Sequence, residues 1–139
     1  DAGLIVIDDG PELVTLVRSL RQSPAMEAMG RAFEEGTPIL GLGAGASALG
    51  AWVAESGTDA TDLTRAEPGL GWLANIVVAS HFAGTGDAHR LRQLLRLKPN
   101  CLGIGVPEGV GLGLGPSGEV ENVGSGQVTV VVSGLEVEV

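Results

Sequence analysis

Three glycines at alternate positions, Gly41, Gly43 and Gly45, constrain this chain more than any other feature. They follow the short apolar run Ile39-Leu40 and lead directly into Ala46-Ser47-Ala48-Leu49-Gly50. A buried strand, a tight turn and a closely packed helix fit that order. Glycine reaches the positive φ such a turn needs and admits close backbone approach. The turn also presents the free N–H groups of a helix start. What stands at its apex, Gly43, therefore bears directly on function.

On both sides of this turn the apolar pattern is that of an α/β domain. Leu4-Ile5-Val6-Ile7 is continuous, as in a strand covered on both faces. Asp8-Asp9-Gly10-Pro11 ends it, with Pro11 at a first helical position. Leu13, Leu16, Val17 and Leu20 recur at helical spacing. Ser23-Pro24 starts a second helix, with Ser23 as N-cap and Gly36 as C-cap. Its stripe Met26, Met29, Phe33 reads as core packing. The helix after the glycine turn is expected to run to about Glu55-Ser56-Gly57, and polar residues 57–69 read as a surface loop.

Ile76-Val77-Val78-Ala79 reads as a strand with His81 at its end. Gly84-Thr85-Gly86 turns into a helix capped by Asp87. Leu91, Leu94 and Leu95 face inward there, Arg90, Arg92 and Arg96 face water, and Lys98-Pro99-Asn100 closes it. From Cys101 the period becomes two. Leu102–Val106, Val110–Leu114, Glu119–Val123, Val128–Val132 and Leu135–Val139 are short strands, the last an edge strand. With 139 residues and no convincing linker, residues 1–139 read as one domain.

Charge and cysteine content narrow the partners. A net charge of −9 opposes binding to a phosphate backbone, so nucleic acid is not expected; a cationic ligand is the sharper alternative. No apolar run is long enough to span a membrane. Cys101 is the single cysteine, which excludes an internal disulfide and leans toward a reducing, cytoplasmic setting. The chain opens at Asp1 and enters a strand almost at once, which suggests a piece whose upstream part is missing.

Two motifs compete at the glycine turn. Gly41-Leu42-Gly43-Ala44-Gly45 has the shape of a nucleophile elbow, but its apex has no side chain to attack a carbonyl. Residues 41–46 also fit the dinucleotide fingerprint, against which stand the acidic charge and the polar stretch after the helix. His81, His89, Asp87 and Cys101 lack metal-ligand spacing, so neither metal nor cofactor is expected. Ser47 lies one helical turn beyond the elbow.

The ordered motifs resemble peptidase family S51, most closely the cyanophycinases. Gly41 to Ser47 is similar to Gly-Thr-Ser-Ala-Gly-Ala-Ser, and Pro68-Gly69-Leu70-Gly71-Trp72-Leu73 to Pro-Gly-Leu-Gly-Phe-Leu. Ile76 to Phe82 resembles the strand ending Asp-Gln-His-Phe. Leu102–Val106 and Gly124–Val131 resemble the family's Leu-Gly-Ile-Gly-Ile and late Gly-Ser-Gly-x-Val-Thr-Val strands. The resemblance implies a three-layer, mostly parallel α/β sheet of the glutamine-amidotransferase type with a small C-terminal β meander. It also implies cleavage of β-aspartyl-arginine or aspartyl dipeptide bonds.

The departures fall on the chemistry that the resemblance implies. The nucleophile position is Gly43, while the general base matches His81, 38 residues later. Substrate contacts are implied at Gly10, Ala44, Ser80 and Arg90. The family's Gly-Gly-Asp-Gln reads Asp8-Asp9-Gly10-Pro11, and its Asp-Glu-Asp-Thr-Ala reads Pro107-Glu108-Gly109-Val110-Gly111. Glu55, Asp59 and Glu67 are the candidates for orienting His81. The expectation is an S51-like fold that has lost hydrolysis and acts as a binding or structural subunit. It would be a homo-oligomer or be joined by a companion chain supplying the family's N-terminal portion. The rivals are a nucleophile at Ser47 or Ser80, and dinucleotide binding.

Overall fold

The computed structural model describes residues 2–10, 12–56, 63–132 and 135–138. In chain order the elements are β1 (Ile5–Ile7), α1 (Leu13–Arg21), α2 (Pro24–Glu34), β2 (Ile39–Gly41) and α3 (Ala44–Ala48). Then come β3 (Trp52–Ser56), β4 (Leu63–Pro68), β5 (Ile76–Ser80) and α4 (Gly84–Leu97). The chain ends with β6 (Leu102–Val106), β7 (Val110–Leu114), β8 (Val120–Gly124), β9 (Thr129–Val132) and β10 (Leu135–Glu138). The central strands are parallel: β1 pairs with β2, and β5 with β6. β9 and β10 extend the second pair antiparallel, with β10 at its edge, and β7–β8 is a hairpin. This is the mixed α/β architecture with a C-terminal β meander expected from the sequence.

Two apolar clusters hold the elements. Val14 and Val17 of α1 pack with Ile7, Ala48, Val53 and Leu70. Leu91, Leu94 and Leu95 of α4 pack with Val77, Cys101 and Val131. β6 can carry α4 this closely because Gly103 and Gly105 leave room: Leu91 and Leu95 lie over the first, Phe82 over the second. Ile104 and Val106 alternate with them and line a groove shared with β7. Leu4, Val6, Leu40 and Leu42 remain exposed, so β1, expected to be covered on both faces, and β2, expected to be buried, each leave one face open. Val6 and Leu40 are register partners, and Leu4 and Leu42 continue their alternation, so the four form one apolar strip on β1–β2.

Several local expectations are corrected. α3 ends at Ala48, and Trp52 already begins β3, because β-branched and aromatic residues from Trp52 favour a strand that pairs with β4. Residues 63–68 are that partner strand, with part of the expected loop, 57–62, outside the described residues. Pro11 also lies outside them, and Glu12 is the N-cap of α1. Ser23 is the N-cap of α2, but its hydroxyl donates to the Leu20 carbonyl at 2.9 Å and caps no N–H.

α2 closes as a Schellman turn. Thr37 N–H donates to the Ala32 carbonyl and Gly36 N–H to that of Phe33, with Gly36 at φ +101°. No residue of α2 is fully buried and Phe33 is exposed, its ring 6.2 Å from that of Trp72. The methionine–phenylalanine stripe is therefore a peripheral contact. Asp87 lies inside the first turn of α4 and accepts from Ala83 N–H at 2.8 Å, so the cap is Ala83 with a reach-back carboxylate. Arg90 and Arg92 are half-buried, not turned to water.

Candidate functional site

In parallel strands, the loops beyond the carboxyl ends all open on one edge, where ligands gather. Four residues of this chain meet there. Asp9 follows β1 by two positions, Gly43 follows β2 by two, His81 follows β5 by one, and Glu108 follows β6 by two. Each position is set by the register of the parallel pairs β1–β2 and β5–β6.

The glycine turn is shaped by backbone contacts. Gly43 has φ +56° and is the N-cap of α3. A Cβ on Gly41 would meet Ala46 Cα at 2.6 Å, and one on Gly45 would run into the Ile7 carbonyl. Both glycines are thus needed to press α3 against β1 and β2. A Cβ on Gly43 would meet something different, the carboxylate of Asp9, with its oxygens at 2.5 and 2.6 Å. The space beside the apex is filled by the side chain of another strand's loop.

Asp9 is held there by two partners. Its Oδ1 accepts from Ala44 N–H at 2.8 Å, and its Oδ2 lies 3.3 Å from His81 Nε2. The other ring nitrogen, Nδ1, lies 3.2 Å from Glu108 Oε1. The imidazole is therefore flanked by a carboxylate on each side. His81 has φ +51°, a left-handed backbone uncommon outside glycine and shared among the described non-glycine residues with Asn75.

The electrostatics follow from these contacts. The Ala44 N–H, and then His81, hold the Asp9 carboxyl below the usual carboxylate range. Hydrogen bonds to Asp9, and then to Glu108, push His81 above the usual imidazole value. Both shifts favour the charged forms, a carboxylate beside an imidazolium. The two side chains are about half exposed, so water screens the attraction. The raised His81 contributes stability below the unfolded value of about 6.5, and this is lost as pH rises through the folded value. Asp9 contributes above about 3.9, and this is lost as pH falls through its lowered folded value. In an NMR titration His81 should turn over above pH ~6.5 and move down in Asp9→Asn. An unmoved midpoint in that variant would show that the two do not interact.

Beside Gly43, His81 and Glu108 opens a groove of about 650 Å³. Its walls include Leu40, Leu42, Ile104, Val110, Leu112 and Leu114. The sequence-selected residues divide between this groove and a second cavity of about 360 Å³. Gly43 and His81 line the first; Ala44 and Gly10 line neither, Ala44 donating its N–H to Asp9 and Gly10 adjoining Asp9 in the chain, while Asp9 reaches the groove's edge through its contact with His81. Arg90 lines the second, with Ser47, Asp87 and Glu12, and Ser80 borders both. The Ser47 and Ser80 hydroxyls lie 3.0 Å apart, and Ser80 N–H donates to Ser47 Oγ at 3.2 Å. That pairing pins α3 to β5.

Of the residues expected to orient His81, Glu67 is engaged by Arg18, and Asp59 and the Glu55 side chain lie outside what is described; the carboxylates in contact with the ring are Asp9 and Glu108. Their signal was position: acids just past the ends of two apolar runs. Among the described residues no group of three His, Cys, Asp or Glu side chains is placed to hold a metal. No helix among them is long and apolar enough to cross a membrane.

The parallel central strands, with a glycine turn and a histidine at their carboxyl edge, define a mixed α/β protein whose candidate site lies at the strand ends. The chain belongs to peptidase family S51, whose model matches residues 1–115. Among solved structures, it is similar to a peptidase from an acI-B1 Actinobacterium. The TM-score is 0.73 and the identity 22%, over 100% of this chain and 60% of that one. At that identity the likeness is one of fold, and this chain spans 60% of that protein's length. No curated protein matches the sequence.

Proposed function

We propose that this S51 member does not run a serine-peptidase reaction and keeps its site as a binding pocket. The observation that carries this reading is the placement of Asp9. Its carboxylate fills the space where a side chain at position 43 would project and takes the Ala44 N–H. Acyl transfer needs a nucleophile beside the base and free donors for the developing oxyanion. Here the apex has no hydroxyl, and an anion already occupies a donor. Without a triad member, only a small residue of the rate survives.

The alternatives lose support at the same place. Ser47 is buried and hydrogen-bonded with Ser80, so neither hydroxyl is paired with the imidazole. A pyrophosphate at the turn would have to displace Asp9 and face Glu108. The exposed strip Leu4, Val6, Leu40 and Leu42 supports the view that a second copy or companion chain covers β1–β2. Sedimentation at the mass of a single chain, with nothing co-purifying, would count against that view.

The assay uses β-aspartyl-arginine and aspartyl dipeptides with the purified chain. The expected result is no turnover above buffer, and no labelling by a serine-directed fluorophosphonate. Turnover that disappears on His81→Ala would overturn the proposal.

A further inference from the structure

We propose that Asp9 is itself a nucleophile, with His81 as its acid–base partner, and that the pair opens apolar epoxides bound in the adjoining groove. This keeps the pocket of the proposed function and adds a reaction to it, and the loss of serine chemistry and the epoxide reaction can each fail without the other. The geometry is that of a carboxylate in covalent catalysis. Oδ1 is anchored on the Ala44 N–H, Oδ2 faces His81 Nε2, and Glu108 holds the far side of the ring. Gly43 is what lets the carboxylate lie there, since any side chain would take its place. The groove beside it is walled by leucine, isoleucine and valine.

The class of electrophile follows from what this pair can balance. Attack on a peptide carbonyl would give a mixed anhydride and expel an amine, an unfavourable exchange. An alkyl halide would leave the imidazolium proton unused. An epoxide uses both partners. Asp9 Oδ2 attacks a ring carbon, the carbon–oxygen bond breaks, and the freed oxygen takes the proton from His81 Nε2. The product is a hydroxyalkyl ester of Asp9 beside a neutral imidazole. Esterification also takes away the carboxylate hydrogen bond from Asp9, the first cause of the raised His81 value, which favours the neutral form as a base.

In the second step His81 takes a proton from water, whose oxygen adds to Asp9 Cγ. Ala44 N–H stabilises the resulting oxyanion on Oδ1. Collapse breaks the bond from Cγ to Oδ2. The diol leaves with that oxygen and the proton from His81. Asp9, now a carboxylic acid, returns its proton to His81 and restores the starting pair. Net, one epoxide and one water become one diol.

The test is a single turnover of the 139-residue chain with styrene oxide in water enriched in oxygen-18, read by peptide mass spectrometry. The heavy oxygen should appear in the peptide bearing Asp9, and the first diol released should lack it. Diol formation should fall to the uncatalysed rate in Asp9→Asn and by about 10²–10⁴-fold in His81→Gln. Heavy oxygen in the diol with none in Asp9 would overturn the proposal. So would adducts spread evenly over Asp8, Asp9 and Glu12, or no diol above background. The wild-type isotope result stands whether or not either variant folds.

Discussion

Gly43→Ser alone should remain unreactive toward a fluorophosphonate, whereas Gly43→Ser combined with Asp9→Gly should label. The single change puts Cβ against the Asp9 carboxylate, which must then leave the Ala44 N–H and the imidazole. A side chain at φ +56° also stores about 1–3 kcal/mol of backbone strain. The new hydroxyl thus competes with an anion for its base and its donor. Removing the Asp9 side chain vacates both and leaves His81 with Glu108 as orienting partner. With the base available, labelling should be at least ~100-fold faster in the double variant than in the single one, and should be lost again on His81→Ala. Equal labelling of the two would show that Asp9 does not occupy the nucleophile's place in solution.

The second large effect is on stability. Gly45→Ala drives a methyl group into the Ile7 carbonyl, and Gly69→Ala drives one into that of Gly50. Backbone lies on both sides of each contact, so no side-chain rotation relieves it. Each change should cost ~3 kcal/mol or more, and lower Tm by roughly 10 °C in a domain of this size. Gly30→Ala is the opposite case: inside α2, its Cβ meets nothing within 4 Å. It should add about 0.5–1 kcal/mol from helix propensity and raise Tm. A thermal melt of the three variants checks the sign of each. An unchanged Tm for Gly45→Ala would mean that α3 does not press on β1.

The elements that were legible had unambiguous local signals. The runs Ile76–Ala79 and Leu102–Val106 read as covered strands and are so, Leu4–Ile7 is a strand as read but leaves Leu4 and Val6 exposed, and Leu91, Leu94 and Leu95 line one helical face. Where local signals conflicted, the reading failed. The stretch Ala44 to Ser56 looks continuous as a helix, yet α3 stops at Ala48 because Trp52 and Val53 pair with Glu67 and Pro68 from later in the chain. Residues 63–68 look like a loop by composition, and pairing makes them a strand. Arg90 looks solvent-facing by helical phase, but β3 and β5 meet α4 around a cavity that it lines.

By itself the amino-acid order determined the glycine turn, the bare apex at position 43 and a histidine at the end of a strand. Those depend on backbone freedom and on the presence or absence of a side chain, which are properties of single residues. Only the tertiary structure decided what fills the space at that apex. Asp9 stands 34 positions before Gly43 and Glu108 stands 27 after His81. They reach one imidazole because the parallel pairs β1–β2 and β5–β6 bring their strand ends to a common edge. Register aligns the ends of each pair, and α3, packed on both β2 and β5, brings the two pairs together; both are relations between distant segments that no local pattern specifies.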